Sequence, residues 1–264
     1  MYLLVPEYVK DLIIYERNKY LEMPPLLRIN AEKAAILGDT HGAINVTYEG
    51  SKYLKEGYMV ILLGDLVDRG KDSLLNLIFA LEMSFLSENF LIIRGNHESS
   101  LTTPYYGFLD ELKENEIDYL YDTFLTFFAS LPPVALINEK IICLHGGIPS
   151  VEVYLSDLEK LPRDDFEPTN KILFEILWND PREYIEGFLT NTRGEGTYFF
   201  GKDAFNKFMI NNKLDYLIRG HEVKMEGISY NFDKKLITVF SSEYHNGKKG
   251  ILLIENGGFR EIKL

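Results

Sequence analysis

AAILGDTHG (residues 34–42) and MVILLGDLVDRG (residues 59–70) decide how this chain is read. In each, a short run of Ala, Ile, Leu, Met or Val ends abruptly in Gly-Asp, as a buried strand does when it meets a loop. The same device recurs in FLIIRGNHES (90–99), IICLHGG (141–147) and DYLIRGHE (215–222). Four of the five histidines lie in these Gly/Asp/Asn-rich stretches. A single histidine after a strand is more often a core residue than a ligand. Four in matching contexts point instead to one constellation gathered at strand ends.

Helical patterns fill the intervals at about 44–56, 72–87, 105–129 and 202–211. Strands alternating with helices predict an α/β protein, with its ligands outside the carboxyl ends of the strands. Apolar positions at Leu4, Tyr8, Leu12 and Tyr15 predict a further helix over residues 3–22, packed outside the core and stopped by Pro24-Pro25. Near the end, KLITVF, GILLIE and FREIKL read as an antiparallel meander. Residues 156–200 are the least regular and read as loops and short helices. No repeat or linker interrupts the chain, so one domain over residues 1–264 is expected, with 1–25 as an N-terminal helical segment.

The chain has 264 residues and is 46% hydrophobic, enough for a substantial core. With 28 basic and 40 acidic residues its formal charge is -12, which argues against a nucleic-acid partner. Any phosphate it handles must be met by locally placed positive charge. The lone Cys143, in an apolar run, reads as a buried core residue and fits a reducing compartment. The N-terminus lacks the basic start and apolar stretch of a signal peptide, and no run approaches a membrane span. A cytoplasmic protein with no membrane partner is expected.

Asp39 and His41 can turn onto one metal, with Gly38 and Gly42 relieving the backbone on either side. Asp65 follows the next strand, and its two carboxylate oxygens can bridge two cations. Asn96, His145 and His221 supply neutral ligands to the second. This mixed set suits Mn²⁺ first, with Fe or Zn²⁺ as alternatives, better than Ca²⁺. Two divalent ions against two carboxylates leave local positive charge suited to a phosphate ester, and together they can activate a shared water. Arg94 and Arg219 lie on the strand side of their motifs and read as structural; His245 reads as a rim residue.

GDTHG, GDLVDRG, GNHE, HGG and RGHE, in this order, resemble the PPP-type serine/threonine protein phosphatases of the calcineurin-like metallophosphoesterase superfamily. The likeness runs from about residue 26 to 255 and includes YYGFLDEL (105–112), ILWNDP (176–181) and NTRGEGTYFFG (191–201). It implies an αββα sandwich of two mixed sheets with a dimetal site at the strand ends. Phosphoserine and phosphothreonine in proteins would be hydrolysed there by direct attack of a metal-bridging hydroxide. Asp39, His41 and Asp65 match the ligands of one metal; Asp65, Asn96, His145 and His221 match those of the other. His97 matches the general acid and Asp68 the carboxylate that orients it. Arg69 and Arg193, with Asn96 and Tyr244, match the groups that hold the phosphate.

The loop SSEYH (241–245) departs from the family's S-A-P-N-Y-C: Tyr244 is the natural match to its tyrosine, His245 could take that place, and its cysteine has no counterpart. The resemblance further implies phosphoprotein substrates, and a compact core of prokaryotic or archaeal type. Regulatory subunits are left open. A dinucleoside tetraphosphatase, which shares the early motifs, is the alternative enzyme. A non-catalytic scaffold of the same fold would be expected to have lost ligands that this chain retains.

Overall fold

Alternation along the strands sorts the core into layers. A computed structural model describes residues 5–163 and 165–264. Strands β2 (Lys33–Leu37), β3 (Met59–Leu62) and β4 (Phe90–Ile92) run parallel in a five-stranded sheet of order β14-β13-β2-β3-β4. There β13 (Gly250–Glu255) and β14 (Gly258–Lys263) form an antiparallel hairpin on the side of β2. The six-stranded sheet has the order β1-β5-β6-β10-β12-β11. In it β6 (Ile141–Leu144), β10 (Tyr216–Arg219) and β12 (Leu236–Val239) are parallel. It is completed by β1 (Leu26–Ile29) and β5 (Val134–Ile137) on one side and β11 (Ile228–Asn231) on the other.

Because side chains alternate in direction, each strand serves two cores. Ala34, Ile36, Ile61 and Leu252 of one sheet meet Ala135, Cys143, Ile218 and Ile237 of the other in the central layer. Ala35, Leu37, Val60 and Leu62 turn outward. They pack against α1 (Pro6–Glu22), α2 (Ile44–Ser51), α3 (Ser73–Leu86), α4 (Phe108–Glu114) and α5 (Tyr121–Ser130). On the opposite side Leu136, Ile142, Leu144 and Leu217 pack against α6 (Leu155–Leu158), α7 (Lys171–Trp178) and α8 (Lys202–Asn211). The result is the αββα sandwich. Both faces of the parallel strands are covered, which is why their sequences are continuously apolar.

Several expectations need correction. KLITVF does not join the last two strands in a meander: β12 pairs with β10 and β11, while β13 and β14 lie in the other sheet. The crossing occurs where Ser241 donates its amide to Asp39 O at 3.0 Å and Phe240 bridges to Asp39. The helical pattern over 105–129 is split into α4 and α5, with Glu116 between them at φ 57°. Of the apolar face expected for α1, Tyr8 and Tyr15 are exposed, and Leu4 lies outside the described residues. The buried positions are Val9, Leu12, Ile13, Glu16 and Tyr20, so the helix is rotated toward α3 and α5. Residues 156–200 hold not only short helices but a small sheet of β7 (Asp180–Pro181), β9 (Tyr198–Phe200) and β8 (Phe188–Thr190).

Gly38 is needed for room rather than for an unusual φ, since a Cβ there would lie 1.9 Å from Val239 O, where the sheets meet. Cys143 is fully buried between the sheets, and burial pushes its thiol up to about 12. No helix among the described residues is long and apolar enough to cross a membrane. Ile36 is likewise fully buried between the sheets. We expect Ile36→Ala to cost about 2–5 kcal/mol in denaturant unfolding; an unchanged midpoint would contradict the tightly packed central layer.

Candidate active site

Six parallel strands, three from each sheet, aim their C-terminal ends at one cleft. β2 delivers Asp39 and His41, β3 delivers Asp65, and β4 delivers Asn96 and His97. From the facing sheet come His145 after β6, His221 after β10 and Tyr244 after β12. The cleft, about 290 Å³, is lined by most of these together with Arg69, Arg193, Tyr106 and Trp178. His145 lies beneath it with no exposed surface. The turns are sharp: His41, Asp65, Asp68, Arg69 and His221 all have φ between 43° and 69°, a region side chains with a Cβ seldom occupy.

Hydrogen bonds at the backs of the rings decide what faces the centre. His41 Nδ1 lies 2.7 Å from Val67 O and His145 Nδ1 2.8 Å from Leu63 O. A carbonyl only accepts, so each Nδ1 carries a proton and Nε2 is the nitrogen that each ring turns inward. His41 Nε2 is then 3.5 Å from Asp65 Oδ2 and 3.9 Å from Asp39 Oδ2. Around His145 Nε2 stand Asn96 Oδ1 at 2.8 Å, His221 Nδ1 at 3.1 Å and Asp65 Oδ2 at 3.3 Å. His221 Nε2 is buried and has no partner among the described residues.

Lone pairs converging out of water require positive charge among them. Although burial opposes its charge, Asp65 and Asp39 draw His145 up to about 9. Burial and the neighbouring Asp65 raise Asp39 to about 6, while burial pulls His41 down to about 3. His221 is also held well below the ordinary range by burial and by Arg193, so it presents a neutral ring. This donor set of carboxylate oxygens, an amide oxygen and imidazole nitrogens fits divalent cations, whose binding would displace the proton of His145. Ligand atoms of His41, Asp65 and His97 lie within 4.8 Å of one another, as do those of Asp65, His145 and His221. Asp65 is common to both groups, as a bridging ligand must be. Asp39 is outside the first group; its Oδ1 accepts the His221 amide at 2.7 Å.

The remaining expected residues surround these. Asp68 Oδ2 is 2.6 Å from His97 Nδ1, and its Oδ1 accepts the Phe108 amide at 3.0 Å, so the carboxylate is fixed from both ends. Arg193 donates from Nε to Asp180 at 2.5 Å and from Nη2 to His221 O at 3.1 Å. Tyr244, rather than His245, faces inward, its ring 5.3 Å from that of His41. Burial pushes its phenol up to about 12, so the hydroxyl keeps its proton. His245 lies at the cleft rim, exposed, 3.9 Å from the Tyr244 ring. Arg94 and Arg219 are buried and donate to protein groups, among them Glu98 O and Gly146 O, as structural residues do, although Arg94 Nη1 has no partner among the described residues.

Two anchors were not assigned from the sequence. Glu98, fully buried, accepts the amides of Asp65, Leu66 and Gly95 at 2.7, 2.8 and 2.9 Å, tying two ligand loops together. Asp180 accepts from Asn191, Arg193 and Arg219. Despite burial, the two guanidinium groups hold its carboxyl well below the usual carboxylate range. Both residues stand inside quoted motifs, GNHES and ILWNDP, and that is the only signal they gave. Glutamine at position 98 offers one carbonyl oxygen for three amides. We expect Glu98→Gln to lose about 1–3 kcal/mol of stability in denaturant unfolding; full stability would show that these bonds are dispensable.

The sequence profile of the calcineurin-like phosphoesterases matches residues 33–225. Among solved structures, a protein serine/threonine phosphatase from Saccharomyces cerevisiae with similarity to human phosphatase PP5 shares 29% identity at a TM-score of 0.89. That match covers 99% of this chain and 90% of that one. A cold-active protein-tyrosine phosphatase of a psychrophilic Shewanella shares the fold at 19% identity and a TM-score of 0.64, covering 93% of this chain and 84% of that one. A structure assigned as a diadenosine tetraphosphatase shares it at 15% and 0.53, covering 91% and 98%. With its layered fold, its His/Asp/Asn cluster and this profile, the chain belongs to the calcineurin-like phosphoesterase family.

Proposed function

We propose that this phosphatase hydrolyses phosphoserine and phosphothreonine in proteins. The observation that carries the reading is the Asp68–His97 pair beside the metal ligands, flanked by two arginines. The serine/threonine assignment is supported by the likeness to the yeast phosphatase across 99% of the chain. Asp39, His41, Asp65, Asn96, His145 and His221 would hold two divalent ions, with Mn²⁺ the first choice for this mixed donor set. When bound, the ions supply Lewis acidity and an activated water nucleophile. In this reading the chain acts in the cytoplasm as one catalytic domain, with phosphoproteins as its partners.

The chain's own side chains supply the rest. Arg69 and Arg193 reach the phosphate oxygens, with Arg193 pre-oriented by Asp180 so that little ordering is left to do on binding. The Asn96 amide and the Tyr244 hydroxyl can donate to the same group. Asp68 accepts the Nδ1 proton of His97, which leaves Nε2 as the nitrogen that faces the leaving oxygen and delivers its proton. An alkoxide from serine or threonine is a poor leaving group, so this proton matters most for alkyl esters.

His97→Ala should therefore lower kcat for a phosphoserine peptide by about 10²–10⁴-fold. The loss for p-nitrophenyl phosphate should be much smaller, with both metal equivalents kept in elemental analysis. Equal losses on both esters would remove His97 from the role of acid. Turnover of a phosphoserine peptide should also exceed that of diadenosine tetraphosphate by the Mn²⁺-loaded protein; the reverse preference would replace this reading with the dinucleotide one.

A further inference from the structure

Arg69 and Arg193 face the same cleft but are held by different means. Arg193 is fixed by the carboxylate of Asp180. Among the described residues Arg69 has no carboxylate partner. Its guanidinium instead lies 4.8 Å from the centroid of the Tyr106 ring and 5.6 Å from that of Tyr244. An aromatic face attracts a cation without occupying its N–H donors, so the fork stays free for a planar set of acceptor oxygens.

Tyr106 makes two further contacts. Its carbonyl accepts the Arg69 amide at 2.8 Å, which helps to hold that residue at φ 64°. Its ring meets the His97 ring edge-on, with centroids 5.1 Å apart. The ring stands at the rim, 45% of the residue exposed, and its hydroxyl bonds to no described protein group. The loop that carries it is tied back on the site, since Thr102 Oγ1 lies 3.2 Å from both Asn96 O and His97 O, and Phe108 N donates to Asp68.

We propose that Tyr106 is a positioning residue whose ring holds Arg69 and His97 in one mutual arrangement, so that phosphate binding and proton delivery are set by the same side chain. The inference rests on the roles given above to Arg69 and His97. Its two parts have separate readouts: KM reports the arginine, and the dependence of kcat on the leaving group reports the histidine.

The experiment compares Tyr106→Ala, Tyr106→Phe, Arg69→Ala and the double variant Arg69→Ala/Tyr106→Ala. Each Mn²⁺-loaded protein is assayed on p-nitrophenyl phosphate and a phosphoserine peptide, with thermal midpoint and metal content measured alongside. Tyr106→Ala should raise KM for p-nitrophenyl phosphate about 5–30-fold, the range expected for losing a cation–π contact in a partly desolvated site. It should lower kcat more on the peptide than on the aryl ester, with midpoint and metal content unchanged. Tyr106→Phe, which keeps the ring, should restore both parameters. In the Arg69→Ala background, removing Tyr106 should add no further rise in KM.

Wild-type kinetics in Tyr106→Ala, or failure of phenylalanine to rescue, would overturn the proposal; so would additive KM effects in the double variant. An unchanged KM in Arg69→Ala alone would overturn the phosphate-binding reading of Arg69, and the arginine half of this inference with it.

Discussion

Acceptor atoms packed against one another out of water are the constraint from which the rest of this structure follows. Asp65, Asn96, His41, His145 and His221 present oxygens and imidazole lone pairs to a common centre, and Asp39 stands beside them. Gathering such groups without compensating charge is costly, because each loses water and meets like polarity. Divalent cations would supply that charge, and the surrounding bonds hold the donors turned toward the centre. Leu63 O and Val67 O lock two rings by their far nitrogens. Glu98 binds three amides of the loops that carry Asp65 and Asn96.

The two-sheet architecture serves that constraint. Parallel strands from both sheets end at the same height, so ligands far apart in sequence meet without long loops. Asp39 and His221 are an example, separated by 182 residues and joined by a 2.7 Å hydrogen bond. The loops are short and turn sharply, which accounts for left-handed backbone at five of the site's residues. Such conformations cost about 1–3 kcal/mol each and persist only where surrounding contacts over-determine them. Here the contacts are identifiable: the His41 amide donates to Asp65 O, Arg69 to Tyr106 O and His221 to Asp39 Oδ1.

Charge is distributed with the same economy. The chain is acidic overall, at -12, yet its cleft carries two arginines and a metal-binding cluster. Asp180 fixes Arg193 and neutralises part of it, whereas the rings of Tyr106 and Tyr244 hold Arg69 and leave its donors free. With divalent ions bound, that cleft would become locally positive within a negative surface and direct an anionic ester to one place, since long-range repulsion is screened beyond about 10 Å and the close contacts are not.

By itself the sequence determined the residue types at the centre and the rhythm of strand and helix that delivers them. Both are local properties: ligands sit within a few residues of an apolar run, and the run's composition reports burial on both faces. The αββα layering came from the resemblance those motifs carry. Only the tertiary structure decided what depends on contacts between distant loops. It placed β12 in one sheet and the final hairpin in the other, turned α1 so that Tyr8 and Tyr15 face solvent, and put Tyr244 inside His245. It also revealed Glu98 and Asp180 behind the site and Tyr106 at its rim. Their partners lie 33, 13 and 37 residues away, as with Asp65, Arg193 and Arg69, and no periodicity encodes such pairings.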